Sequence, residues 1–322
     1  MTSQTRKVTH VAAGILINAD GQFLLGSRPA GKPYAGYWEF PGGKLEQGES
    51  AQDALCRELN EEMGIQVKQA TPWLTQRFNY PHADVEIHFF KVTAWDGDIH
   101  GQEGQALSWQ TVGRLNTSPI LPANGPILRS LALPTQISIS NVAELGLDNF
   151  LKQLSEKWAN EAAWVLIREP QLPANEYAHL VQSVQKIARP HGGKIIIHRD
   201  IELARQLLID SIHLTSNQLA TLSERPSGMD WVSASTHHLA DLQQVDRLGL
   251  DFAFLGHVNS SQSHPTETPL GWNAFAALCQ HGWRFPIFAI GGQNQTTLST
   301  AQQHGGHGVA ILRAAWQAGL AA

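Results

Sequence analysis

The stretch that decides the N-terminal fold is Gly43-Lys-Leu-Glu-Gln-Gly-Glu49, continuing to Arg57-Glu58-Leu59-Asn60-Glu61-Glu62-Met63-Gly64-Ile65. Pro41, Gly42, Gly43 and Gly48 enforce a loop, because proline fixes φ and glycine tolerates the conformations that turns need. Ser50 is a favourable N-cap with Asp53 three residues later, a capping-box-like start. Leu55 and Leu59 put an apolar stripe on one face, and Gly64 suits the position just past a helix end. The pattern predicts a helix between Ser50 and Gly64. Glu58, Glu61 and Glu62 share one face of that helix. Three carboxylates so placed repel one another. A divalent cation relieves the repulsion, and carboxylate oxygens are the donors that Mg²⁺ or Mn²⁺ prefers. Arg57 lies one turn before Glu61 and can hold an acidic side chain in place. Taken alone, such a charge run is more often a solvated acidic face. The complete spacing changes that reading.

The segment fits the pattern GX5EX7REUXEEXGU, where U is a bulky apolar residue, with Gly43, Glu49, Arg57, Glu58, Leu59, Glu61, Glu62, Gly64 and Ile65 all in place. This is the Nudix box, and residues 8–131 resemble the Nudix hydrolases, which cleave a nucleoside diphosphate linked to another moiety using Mg²⁺. Glu39-Phe40-Pro41-Gly42-Gly43-Lys44, Glu103-Gly104-Gln105 and Leu121-Pro122-Ala123-Asn124 look like the MutT branch. That branch hydrolyses 8-oxo-dGTP to 8-oxo-dGMP and diphosphate, sanitising the nucleotide pool for DNA replication and repair. The resemblance implies metal binding by Gly43, Glu58, Glu61, Glu62 and Glu103, with Mg²⁺ or Mn²⁺ as cofactor. It implies catalytic roles for Arg57, Glu58 and Glu103, a proton passing from water to Glu58 or Glu103. It places Arg28, Phe40, Lys44 and Asn124 against the nucleotide, Asn124 reading the purine edge with an amide that both donates and accepts. Each has a plainer reading: Phe40 as core, Arg28 as a surface charge, Asn124 as a turn former, Glu103 as a loop solvator.

Working outward, the chain has 322 residues, 42% of them hydrophobic and 16% charged. That length suits about two domains, each able to bury a core without disulfide or metal staples. Disorder and coiled coil fit poorly, and no apolar run approaches the roughly 20 residues of a membrane span. Val11 to Ile17 reads as a first strand rather than a signal-peptide core. Cys56 and Cys279 form neither a CxxC pair nor a disulfide framework, so a reduced cytoplasm is the expected compartment. The net charge of −5 argues against bulk nucleic-acid binding but not against a small phosphorylated ligand.

The expected domains are 1–133 and 134–322, with Leu133-Pro134-Thr135 breaking the preceding helix. Beyond the break, eight short β-rich runs recur: Ile137–Ser140, Trp164–Ile167, Lys194–Ile197, Ser211–Leu214, Trp231–Ala234, Phe252–Leu255, Pro286–Ile290 and Gly308–Leu312. Helix-forming stretches such as Ile201–Leu208 and Leu239–Leu248 lie between them. Strand and helix alternating in this way argue for a parallel sheet, and eight units argue for a (β/α)8 barrel. The stretch is short for that fold, so some helices must be short. The expected class is therefore α/β in two domains: a Nudix α/β/α sandwich followed by a small (β/α)8 TIM barrel. A doubly wound open sheet is the structural alternative for the second domain.

Ala289-Ile-Gly-Gly292, Gly305–Ala310, Ser235-Thr236-His237 and Asp251-Phe-Ala-Phe-Leu-Gly-His-Val258 make the second domain similar to the thiamin phosphate synthase/TenI superfamily. Loops after strands seven and eight are the usual phosphate site of such barrels, so Gly291 and Gly292 are the expected phosphate cradle. Where the synthases carry two metal-binding aspartates, this chain has Arg199 in His198-Arg199-Asp200, and His213-Leu-Thr-Ser-Asn-Gln218. The lysine-rich loop is Ser261-Gln-Ser-His264, and the Arg-Glu-Lys after strand two is Arg168-Glu169-Pro170. A synthase that displaces diphosphate needs those charges, so loss of synthase activity is expected. Gly256-His257-Val258 points instead to the TenI branch, with His257 as the acid/base of a thiazole phosphate tautomerisation; its plain alternative is a hydrogen-bonded structural histidine. His198, His213, His237, His257 and His264 all fall near strand ends and could line one mouth. Zinc there would need tetrahedral convergence, and no HxxxH helical pair supports it.

Two other functions stay open. One is thiamin salvage, with the Nudix site hydrolysing a thiamin-type diphosphate beside a tautomerase barrel. The other makes the barrel a non-catalytic module that binds a thiazole or thiamin phosphate.

Overall fold

The computed structural model describes residues 8–81, 83–161, 163–260 and 267–316. The chain forms two compact units, Met1–Leu133 with Gly282–Arg284, and Pro134–His281 with Phe285–Ala322.

The first unit begins with β1 (Val8–Leu16), β2 (Phe23–Ser27), β3 (Trp38–Glu39) and β4 (Gly42–Lys44). Helix α1 (Ala51–Met63) follows, then the long strands β5 (Gln66–Asn79) and β6 (Asp84–Asp96), β7 (Leu107–Gln110) and α2 (Gly125–Leu131). One mixed sheet has the order β4-β1-β6-β5 and a smaller one β3-β2-β7. β1 runs parallel to β6, with His10 opposite Glu86 and Ala12 opposite His88. It runs antiparallel to β4, with Ala12 opposite Gly43. Alternation along β1 and β6 explains the layering, because successive strand residues face opposite sides. Ala13, Ile15 and Phe89 pack with Phe23, Phe40 and Ile127 of α2. Ala12, Leu16, Phe90 and Val92 pack with Leu55, Leu59 and Met63 of α1. This is the expected α/β/α arrangement.

α1 begins and ends where its sequence predicts. Ser50 caps it by accepting from the Asp53 amide, and Gly64 takes the left-handed conformation at φ 71°. The Ser50 hydroxyl donates to the Asp53 carboxylate at 2.6 Å.

The second unit is a closed barrel of eight parallel strands: β8 (Gln136–Ile139), β9 (Trp164–Ile167), β10 (Lys194–His198), β11 (Ser211–Leu214), β12 (Trp231–Thr236), β13 (Phe252–Gly256), β14 (Ile287–Ile290) and β15 (Gly308–Ile311). The open-sheet alternative is excluded by closure of β15 onto β8. Barrel closure with so few residues shortens the outer layer. α3 (Val142–Leu145), α6 (Ile201–Gln206), α7 (Ser216–Thr221) and α10 (Leu298–Gln303) have six residues or fewer. α4 (Leu147–Asn160), α5 (Ala174–His191), α8 (Leu239–Leu248) and α9 (Gly271–Cys279) are longer. Aromatic side chains fill the interior. Phe252 packs on Phe288 at 5.5 Å and on Phe254 at 5.8 Å, and Trp164 on Trp231 at 5.2 Å. The barrel is therefore a packed core rather than a pore.

Candidate active site

The box forms a loop and helix tied together by one arginine. Arg57 donates from Nε and Nη2 to the two Glu49 oxygens, each at 2.9 Å. Its Nη1 donates to Glu58 at 2.9 Å and to Glu61 at 3.2 Å. Nη2 also reaches the Lys44 carbonyl at 3.0 Å. A planar guanidinium can serve this many acceptors from one place, and the bonds to Glu49 and Glu58 raise its pKa further. Arg57 thus positions the carboxylate helix against the glycine loop.

Gly43 has a separate reason to be glycine. A Cβ there would lie 2.1 Å from Glu58 Cδ, so the Glu58 carboxylate occupies the space a side chain would take. Burial, with repulsion from Glu58 and Glu103, pushes the Glu62 carboxyl up to about 7, against a hydrogen bond from the Gly42 amide. That bond is 3.3 Å long. Glu103 pairs with Lys32 at 3.1 Å, and Glu61 is exposed. Glu58, Glu62 and Glu103 are thus electrostatic neighbours, while Arg57 and Lys32 draw two of them aside. The donors are all hard oxygens, and Glu58 and Glu103 both repel the largely buried Glu62 carboxylate, a repulsion that a cation relieves. The residues fit a hard divalent ion.

The remaining nucleotide candidates divide. Arg28 is no loose surface charge. Its Nη1 donates to both Glu39 oxygens at 2.7 and 2.6 Å, and its Nε to the Pro33 carbonyl at 2.7 Å. Asn124 is 3% exposed, and its Nδ2 has no hydrogen-bond partner among the described residues. β3 positions it: Leu121 donates to Trp38 and Asn124 to Leu121, both at 2.9 Å. The Lys44 side chain is exposed. The Phe40 ring packs on Phe23 at 5.7 Å and Phe89 at 5.9 Å and is only 4% exposed, so its side chain belongs to the core. Glu39, the partner of Arg28, stands in register opposite Gly26 on the neighbouring strand.

In the barrel, Gly291 and Gly292 both take positive φ. A Cβ on Gly291 would meet the His257 Cβ at 2.2 Å, and one on Gly292 the Asn259 Cβ at 2.8 Å. Glycine is thus demanded by close passage of the β13 loop. Both glycines stand just past the end of β14, next to the strand pairing of Ile290 with Ala310. The His257 side chain is 11% exposed, with Nδ1 3.7 Å from the Glu267 carboxylate.

The row of histidines does not line one mouth. His213 is buried, bonded through its two nitrogens to Ser233 and Ser235 at 2.8 Å each. His198 is buried beside it, and burial with Arg168 and Arg199 nearby pulls its pKa down to about 4. Both are structural residues of the inner layer. His237 contacts the Gly256 carbonyl at 2.6 Å. His264 lies outside the described residues, as does Ser261-Gln-Ser. At the two aspartate positions of the synthases, the Gln218 side chain donates to the Arg199 carbonyl at 2.8 Å. Gln218 also completes the Thr215 capping box of α7. The substituted residues therefore serve local structure.

Among the described residues, the cluster that does gather metal-ligating atoms is His10, Glu86 and His88, on β1 and β6. Sequence reading missed it, because it depends on the register between two strands far apart in the chain.

A family model described as NUDIX domain matches residues 8–131, and one described as thiamine monophosphate synthase matches residues 138–315. An 8-oxo-dGTP diphosphatase of Haemophilus influenzae is 38% identical over 126 residues, covering 39% of this chain and 93% of the relative. A CTP pyrophosphohydrolase of Escherichia coli is 36% identical over 124 residues, covering 38% of this chain and 91% of the relative. A thiamine-phosphate synthase of Prochlorococcus marinus is 31% identical over 145 residues, 44% of this chain and 41% of that protein.

Proposed function

Because the chain belongs to the NUDIX family through residues 8–131 and to the thiamine monophosphate synthase family through residues 138–315, we propose that its first domain hydrolyses 8-oxo-dGTP to 8-oxo-dGMP and diphosphate with Mg²⁺ or Mn²⁺. The first domain is a Nudix hydrolase acting on a diphosphate bond. The oxidised-purine reading is carried by Asn124, whose amide nitrogen is buried without a partner among the described residues. An unpaired buried donor costs about 1–3 kcal/mol, and a purine edge supplies the missing acceptor.

Gly43, Glu58, Glu61, Glu62 and Glu103 would hold the cations. When bound, these supply charge neutralisation for the triphosphate and a lowered pKa for water. Glu58 or Glu103 accepts the proton as water attacks the β-phosphorus. The bond from that phosphorus to the α–β bridging oxygen breaks, and nucleoside monophosphate leaves. Arg57 holds Glu58 through its hydrogen bond to Oε1, and Lys44 would lie beside the phosphates. Glu61→Gln or Glu62→Gln is expected to abolish diphosphate release with the fold intact; wild-type turnover in the purified variants would defeat the metal assignment. Asn124→Ala is expected to raise KM for 8-oxo-dGTP about tenfold or more while leaving CTP hydrolysis unaffected, measured by diphosphate release.

The barrel is read as a site for a thiazole- or thiamin-type phosphate rather than as a synthase. The position of Gly291 and Gly292 at the end of β14, both at positive φ with no room for a side chain, supports the phosphate site, and Arg199 and Gln218 at the aspartate positions oppose synthesis. Incubating the full chain with a thiazole phosphate separates the two versions of this reading. Tautomerisation lost in His257→Ala supports catalysis, whereas a raised Tm without turnover supports binding alone.

A further inference from the structure

The parallel pairing of β1 with β6 sets His10 directly opposite Glu86. His88, two residues further along β6, stands on the same face as Glu86. The three side chains converge on one oxygen. His10 Nδ1 lies 3.3 Å and His88 Nε2 3.5 Å from Glu86 Oε1. The two imidazoles lie nearly parallel, 13° apart with centroids at 5.9 Å. We propose that His10, Glu86 and His88 form a binding site for a zinc-class divalent cation, built from residues other than the box carboxylates.

The spacing is that of a coordination shell. Ligands about 2.0–2.1 Å from a tetrahedral zinc lie about 3.3 Å from one another, close to the two measured separations. The third edge joins two rings whose ligand atoms lie within 4.8 Å. It closes by rotation of His10, whose side chain is half exposed. Two imidazoles and one carboxylate are the donors of open zinc sites, and they disfavour Mg²⁺, which takes oxygen ligands.

The outer partners have the arrangement that orients metal ligands. His88 Nδ1 lies 3.3 Å from the Thr75 hydroxyl, which leaves Nε2 toward Glu86. Arg77 donates to Glu86 Oε2 at 2.6 Å, which leaves Oε1 toward the histidines. Such second partners fix the ring tautomer and the carboxylate orientation. Arg77 and Thr75 both come from β5, in register with Glu86 and His88. A bound cation would therefore pin β1 to β6 on a site supported by β5.

The test is a calorimetric titration of the full chain with ZnCl2 under saturating Mg²⁺, which keeps the box carboxylates occupied. The wild type is expected to take up one zinc that Mg²⁺ does not displace, and to melt higher when zinc is present. His10→Ala is expected to weaken uptake at least tenfold and to remove the zinc-dependent Tm rise. Its zinc-free Tm and Mg²⁺-dependent turnover are expected to match the wild type, because His10 is exposed and lies outside the catalytic residues. Glu86→Gln is a second variant with the same expected loss. Equal zinc uptake by wild type and His10→Ala, or uptake by the wild type only when Mg²⁺ is withheld, would overturn the proposal.

Discussion

The close approach of Glu58 to Gly43 makes the absence of a side chain at residue 43 a steric requirement. The Glu58 carboxylate fills the volume a Cβ would need, 2.1 Å from its Cδ. Gly43→Ala must displace that carboxylate or the β4 backbone. A misplacement of about 1 Å can cost about 100-fold in rate, so kcat for diphosphate release is expected to fall by about that factor while the circular dichroism spectrum stays unchanged. Retained kcat would show that the Glu58 position is not critical. Arg57 acts at the same scale by a different route. A lysine has one point charge where the guanidinium serves Glu49, Glu58 and Glu61 together. Arg57→Lys is expected to lower kcat more than it raises KM, because it disorders the carboxylates without touching the nucleotide pocket. Phe40 shows the limit of reading residues singly. An aromatic next to a glycine loop serves a pocket or a core equally well in sequence, and its packing on Phe23 and Phe89 depends on residues far away in the chain.

At the scale of elements, the parts legible in sequence were those with local rules. The α1 ends followed from a serine cap and a glycine stop, and the barrel strands from apolar runs spaced by helices. Ser50→Ala is expected to cost about 1 kcal/mol of stability, read as a lower urea midpoint. Features that depend on register were not legible. The His10–Glu86–His88 cluster exists because β1 pairs parallel with β6. His198 and His213 face each other across adjacent barrel strands, in register, and their burial follows from barrel closure. That burial has a consequence for pH. The folded pKa of His198 is about 4, against about 6.5 when unfolded. The neutral ring belongs to the native state, so its stabilisation is complete above about pH 6.5 and is lost as pH falls toward 4. Linkage puts the loss at up to ~3 kcal/mol. The urea midpoint of the barrel is expected to fall between pH 7 and 4.5, and less steeply in His198→Gln. Identical pH dependence in the two proteins would contradict a buried neutral His198.

At the scale of the molecule, two domains divide a modest stock of charge. With 16% of residues charged, the concentration of Glu49, Arg57, Glu58, Glu61 and Glu62 around one helix commits the first domain to cation and phosphate chemistry. The barrel keeps the fold and glycine amides of its family, while Arg199 and Gln218 occupy the positions of the acids. The full chain, given a pyrimidine diphosphate, a thiazole phosphate and Mg²⁺, is therefore expected to form no thiamin phosphate; synthesis at a rate above background would refute the barrel assignment. No helix among the described residues is long and apolar enough to cross a membrane. The central claim is the specificity of the first domain, and it is tested most directly by comparing kcat/KM for 8-oxo-dGTP, dGTP, CTP and thiamin diphosphate with Mg²⁺. The account predicts the highest value for 8-oxo-dGTP, with diphosphate and 8-oxo-dGMP as products. A higher value for CTP or thiamin diphosphate would contradict it.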